Sequence, residues 1–221
     1  MQDGQNLFDP TTSYAGDWNL SDTLAGLASG GLEAIVVAIA NAGKRRIYEY
    51  APFPDRRHGP GGGDRYVAFL ADTVKPAIDR DFRTLPGRET TAIAGSSMGG
   101  LISLYAAYQR ADLFAAVGAM SPALWFGERA FLRYLSAARR AVRPRIYLDI
   151  GLHEPAQAVA DVRSLRDSLL DAGHGDRDDL HYVEDESGGH NEETWGRRFT
   201  RALPFLLGAD PDRVTGDGPG G

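Results

Sequence analysis

The sequence predicts an α/β fold, a mostly parallel sheet with helices on both faces. Three observations predict it. Short apolar runs alternate with amphipathic stretches along the chain, the signature of strand and helix repeating around a buried sheet. The runs carry few polar residues, as strands covered on both faces do. The chain has 221 residues, 43% of them hydrophobic, enough to bury a full core without staples.

Taken in order, Trp18 to Leu24 opens a helix that stops at Gly30-Gly31, and residues 34–40 (AIVVAIA) read as a buried strand. A loop rich in Pro, Gly and Arg runs on to Gly63. Val67, Leu70, Val74 and Ile78 then recur at helical spacing across residues 64–79, and Thr90-Thr91-Ala92-Ile93-Ala94 forms a strand. Residues 101–108 continue as a helix of small and apolar side chains. Strands are expected at 115–120, 145–150 and 180–184, with helices at 131–142, 156–172 and 192–207. One domain over 1–207 follows, with the Gly, Pro and Asp-rich residues 208–221 as a disordered tail.

Composition removes several classes of function. Zero cysteines exclude disulfides, Cys-ligated zinc and thiol catalysis. A net charge of -6, spread rather than blocked, argues against nucleic-acid or anionic-membrane partners. No apolar run approaches the roughly 20 residues that span a bilayer, and no charged-then-apolar leader opens the chain. A cytoplasmic protein is expected, although lack of cysteine suits a secreted one equally. The five histidines show no metal-ligand spacing, and the acidic residues between Asp176 and Glu186 read as a solvated face. Neither a metal nor a cofactor is expected.

The chemistry lies in Gly95-Ser96-Ser97-Met98-Gly99, a G-x-S-x-G placed between a strand and a helix. A strand that reverses into a helix within two residues strains its central residue and projects its side chain outward. Ser97 is therefore the candidate nucleophile. Its partners are sought after the carboxyl ends of the other strands, where open parallel sheets gather functional groups. Asp3-Gly4-Gln5-Asn6 offers a tight turn that frees the Gln5 N–H for a substrate oxyanion, with the Met98 N–H as second donor. Asp149-Ile150-Gly151-Leu152-His153-Glu154 supplies two carboxylates. Glu154, beyond the strand end, is better placed to reach a histidine than Asp149 within it. Ser187-Gly188-Gly189-His190-Asn191 ends a late loop in His190, and the order Ser, acid, His suits this chemistry. Tyr14, Trp18, Trp125, Phe126 and Trp195 are candidate walls of an apolar substrate pocket. Arg45, Arg46, Arg56, Arg57 and His58 either meet an acidic substrate or form a solvated loop.

These segments, with Arg46-Ile47-Tyr48-Glu49-Tyr50-Ala51-Pro52 and Gly189-His190-Asn191 followed by Trp195, resemble the putative-esterase family of α/β hydrolases. That family includes enterochelin-type siderophore esterases, feruloyl esterases, S-formylglutathione hydrolases and mycolyltransferases. The resemblance covers nearly the whole chain and implies an α/β-hydrolase fold. It also implies Ser97 as nucleophile, His190 as base, Glu154 as acid, and Gln5 with Met98 as oxyanion donors. A small-molecule ester is the implied substrate. Hydrolysis of a siderophore or thioester, acyl transfer, and a silent binding relative are the alternatives. The front departs from the pattern: the family places several strands before the Asp3 turn, where only Met1 and Gln2 stand. The expectation is a start inside a longer natural protein, or a sheet completed by another segment or subunit, with a homodimer through the exposed sheet edge.

Overall fold

The computed structural model describes residues 1–13, 16–137, 143–175 and 179–209. Helices α1 (Leu20–Ser29), α2 (Arg46–Tyr50), α3 (Gly63–Phe69) and α4 (Lys75–Asp81) precede the first strand, with a π-helical stretch, Leu70–Val74, joining α3 to α4. Strand β1 (Ala92–Ser96) then alternates with α5 (Met98–Gln109), β2 (Ala116–Met120), α6 (Phe126–Ala137), β3 (Arg145–Gly151), α7 (Ala156–Asp171), β4 (Leu180–Asp185) and α8 (Glu192–Leu206). Among the described residues the four strands lie in sequential order and pair in parallel. Ser96, Met120, Asp149 and Val183 fall in one register row. Every strand therefore delivers its carboxyl end to the same edge, where a site is built. This is the parallel α/β sheet with helices on both faces that the sequence predicts.

The core forms because successive strand residues face opposite sides. Ile93, Val117, Ile146, Leu148 and Ile150 pack against α3, α5 and α7. Ala94, Ala116, Met120 and Tyr147 pack against α1 and α8 through Trp18, Leu20, Trp195, Phe199 and Leu206. Helix α5 is buried from Met98 to Tyr108. This follows from its small and apolar composition, which leaves no polar face for water. Among the described residues no helix is long and apolar enough to cross a membrane.

Two expectations are corrected. Residues 34–40 form no strand, and Ile35 is 53% exposed. Among the described residues their backbone bonds run to the first residues of the chain: Met1 donates to Val37 O, Ile39 N to Met1 O, and Gly4 N to Ile39 O. An apolar run becomes a strand only where a neighbouring backbone pairs with it along its length, and these three bonds do not make a ladder. A groove of about 940 Å³ lies alongside, with Leu32 to Val37 on one wall and Thr90 to Ala94 on the other. The Pro/Gly/Arg loop, second, contains helix α2, whose five residues are too few to show periodicity. Helix α6 opens with Gly127, Glu128 and Arg129 in left-handed conformation, so regular helix starts near Ala130, close to the expected start at 131. The predicted end of that helix, 138–142, and residues 210–221 of the predicted tail lie outside the described residues.

Candidate active site

Ser97 sits between β1 and α5 with φ 55° and ψ −122°, a backbone that non-glycine residues rarely adopt. The surrounding fold fixes it there: Ser97 N donates to Met120 O at 2.9 Å, and its carbonyl accepts from Ala123 N and Leu101 N at 3.0 Å. The flanking glycines are required by close packing. A Cβ on Gly95 would lie 2.8 Å from Gln2 Cγ, and one on Gly99 3.1 Å from the Asp3 carboxylate. The Asp3 turn is thus pressed directly against the elbow that carries Ser97.

That turn is built by residues the sequence reading did not single out for this role. Asp3 lies at φ 53° and is buried. Its carboxylate accepts from Arg46 Nε at 2.7 Å, Arg46 Nη2 at 2.8 Å and Asn41 Nδ2 at 2.6 Å, while its N–H donates to the Tyr50 hydroxyl at 3.1 Å. The paired guanidinium bonds give a rigid fork. Arg46 is thereby committed to Asp3 rather than to solvent or an acidic substrate. Asn41 N also donates to Gln5 Oε1 at 3.2 Å. Among the described residues the backbone N–H groups of Gln5 and Met98 carry no hydrogen bond.

His190 meets both expected partners. Its Nε2 lies 3.0 Å from Ser97 Oγ, and its Nδ1 lies 2.7 Å from Glu154 Oε2. Asn191 caps α8 by accepting from Thr194 N at 3.0 Å, and the Thr194 hydroxyl donates to Gly189 O at 2.7 Å. The cap anchors the histidine loop to the helix. His153 N donates to Gly188 O at 3.0 Å, and Leu152 N to Asp185 O at 2.9 Å, which stitches the turn after β3 to that loop. The ring of Trp195 stands edge-on to His190, with centroids 4.8 Å apart.

The two candidate carboxylates differ in surroundings. Burial alone would raise the Glu154 carboxyl, but hydrogen bonds from His190, Ser121 and the Gly151 N–H hold it below its ordinary value. It is held as an ion facing the histidine. Asp149 is fully buried and points elsewhere, accepting from Ser121 N at 3.0 Å and lying 3.1 Å from Arg198 Nε in an ion pair. Burial pushes its carboxyl up to about 7 against the pull of Arg198. Of the aromatic candidates, Trp18 is buried against Trp195 and Phe199. Trp195 is likewise buried, and Trp125 is 52% exposed near His58 and Phe126. Phe126 is buried, and Tyr14 lies outside the described residues. Core packing thus claims Trp18 and Phe126, because an aromatic ring between two layers buries its whole area.

Comparison with known proteins identifies the family. The family described as "Putative esterase" matches residues 1–206. The chain belongs to the esterase family. A similar curated protein, the uncharacterized protein YbbA of Bacillus subtilis, is 23% identical over 221 residues, covering 94% of this chain and 84% of YbbA. The siderophore triacetylfusarinine C esterase of Aspergillus fumigatus is 31% identical over 144 residues. That match covers 61% of this chain and 47% of the fungal protein, so the matched part is about half of that relative. Among solved structures, an IroE-like serine hydrolase from Shewanella oneidensis superposes with a TM-score of 0.72 at 18% identity. It covers 94% of this chain and 68% of its own, which shows the shared fold. Membership of the esterase family supports carboxylic-ester hydrolysis as the class of reaction.

Proposed function

We propose that this esterase-family chain hydrolyses carboxylic esters through a serine acyl-enzyme. The observation that carries the reading is the unbroken line from Ser97 Oγ to His190 Nε2 at 3.0 Å and from His190 Nδ1 to Glu154 Oε2 at 2.7 Å. His190 takes the Ser97 proton at Nε2 as Oγ attacks the ester carbonyl, and returns it to the departing alcohol. Glu154 accepts the Nδ1–H, fixes the ring orientation and balances the imidazolium charge. The unengaged N–H groups of Gln5 and Met98 receive the oxyanion, each such donor being worth about 10²–10³ in rate. Water, activated by the same histidine, then attacks the acyl carbon and frees Ser97.

Small or aromatic esters are the substrate class. A narrower reading, a siderophore ester, is favoured by relatives named as siderophore esterases. The test is turnover of p-nitrophenyl acetate, hydroxycinnamoyl esters and a triester siderophore by the native chain beside Ser97→Ala. A loss of kcat on the order of 10⁶-fold is expected, the scale for removing a hydroxyl nucleophile. Equal turnover by both proteins would overturn the mechanism. The ranking of the three substrates decides the class.

A further inference from the structure

We propose that Ser121 is the positioning residue of the acid, its hydroxyl holding the Glu154 carboxylate turned toward His190. The inference rests on the roles assigned above to Ser97, His190 and Glu154, and adds a fourth side chain behind them.

Ser121 directly follows β2, is 2% exposed, and has φ 42°, a left-handed backbone that favours glycine. It is held there from the neighbouring strand, its N–H donating to both Asp149 O and Asp149 Oδ1 at 3.0 Å. The result is a hydroxyl with three polar neighbours. Trp195 Nε1 lies 3.1 Å away, Arg198 Nη2 2.9 Å away, and Glu154 Oε1 2.5 Å away.

The direction of the hydroxyl proton follows from chemistry. An indole N–H and a guanidinium N–H can only donate, so together they occupy both lone pairs of the Ser121 oxygen. The single O–H is left to Glu154, the one neighbour able to accept it. A hydroxyl donating to an ionised carboxylate makes a short, charge-assisted bond. The two carboxylate oxygens are thereby divided. Oε1 takes Ser121 and the Gly151 N–H at 3.2 Å, while Oε2 takes His190 at 2.7 Å. Turning the carboxylate away from the histidine would break the bonds on both sides at once. The donors behind Ser121 are themselves fixed: the Arg198 side chain is almost fully buried beside Asp149 and Asp185, and Trp195 also braces the His190 ring. Together they preset the hydroxyl before substrate arrives.

The test is a double-mutant cycle with p-nitrophenyl acetate, comparing Ser121→Ala, Glu154→Gln and the pair. Ser121→Ala is expected to lower kcat about 10–100-fold, the usual scale for an outer partner of a site ligand, with KM unchanged within about twofold. In the Glu154→Gln background the same change is expected to cost nothing further, because the group it orients is already gone. The low-field proton resonance of His190 Nδ1–H is expected to move in Ser121→Ala. If the alanine variant misfolds, Ser121→Gly replaces it, since glycine accepts the left-handed backbone. Costs that multiply in the pair, a change in KM alone, or an unchanged kcat and resonance would overturn the role of Ser121. If Glu154→Gln itself keeps full kcat, the acid assignment fails first and this inference with it. If Glu154→Gln is slow while the Ser121 variants match the native chain, only Ser121 loses its role.

Discussion

Asp149 and Glu154 stand five positions apart, yet the fold gives them opposite electrostatic lives. Glu154 is held ionised against His190, and Asp149 is buried on Arg198. Glu154→Gln is therefore expected to lower kcat by about 10²–10⁴-fold, since the imidazole loses the partner that sets its tautomer. Asp149→Asn, which keeps an acceptor for Ser121 N, is expected to stay within about tenfold, as steady-state kinetics on both would show. Their pH signatures also differ in sign. The Asp149 carboxyl rises from 3.8 to about 7 on folding, so the native state binds its proton more tightly than the unfolded chain. Its contribution to stability is present below about 3.8 and is lost as pH rises toward about 7. Glu154, held below 4.5, contributes stability above that value and loses it as pH falls through its lowered folded value. Thermal melts of Asp149→Asn between pH 4 and 7 are expected to show a smaller decline with rising pH than those of the native chain. Ser97, His190 and Glu154 were legible as candidates because each follows a strand and has a glycine within three positions. Ser121 and Arg198 were not, since a lone Ser after a strand and an Arg within a helix carry no local sign of what they will face.

At the scale of elements, the Asp3 turn shows how far a short motif depends on distant chain. Gly4 and Gln5 are recognisable as a tight turn, but the groups that hold it, Asn41, Arg46 and Tyr50, come from a stretch that reads as loop. Arg46→Ala is expected to lower kcat/KM by about 10–100-fold by loosening one oxyanion donor, and to depress the melting temperature, because the buried Asp3 carboxylate loses its cation. Arg46→Lys is expected to restore only part of this, an ammonium having no fork to match the carboxylate. Melting curves read beside kcat/KM check both. The strands and α5 were legible because apolar runs bounded by turns leave few alternatives. Residues 34–40 misled because strand composition states a preference, whereas strand identity needs a partner backbone.

For the molecule as a whole, the described sheet presents an apolar groove of about 940 Å³ beside β1, lined by neither Ser97, Glu154 nor His190. Exposed apolar concavities of this kind take up small aromatic dyes. The native chain is expected to raise 8-anilinonaphthalene-1-sulfonate fluorescence, and Ile35→Glu to reduce the signal without altering ester turnover. A dark dye with native protein would mean the groove is covered in solution. The site itself is arranged differently, for the His190 side chain is 45% exposed and that of Glu154 only 1%. One end of the proton path is thus wet and the other dry. In the proposed mechanism bulk water would have a direct route to the acyl carbon, and a many-armed ester could present one arm at a time while the others remain outside. Turnover would then be set by bond making and breaking at Ser97 rather than by the opening of a cover.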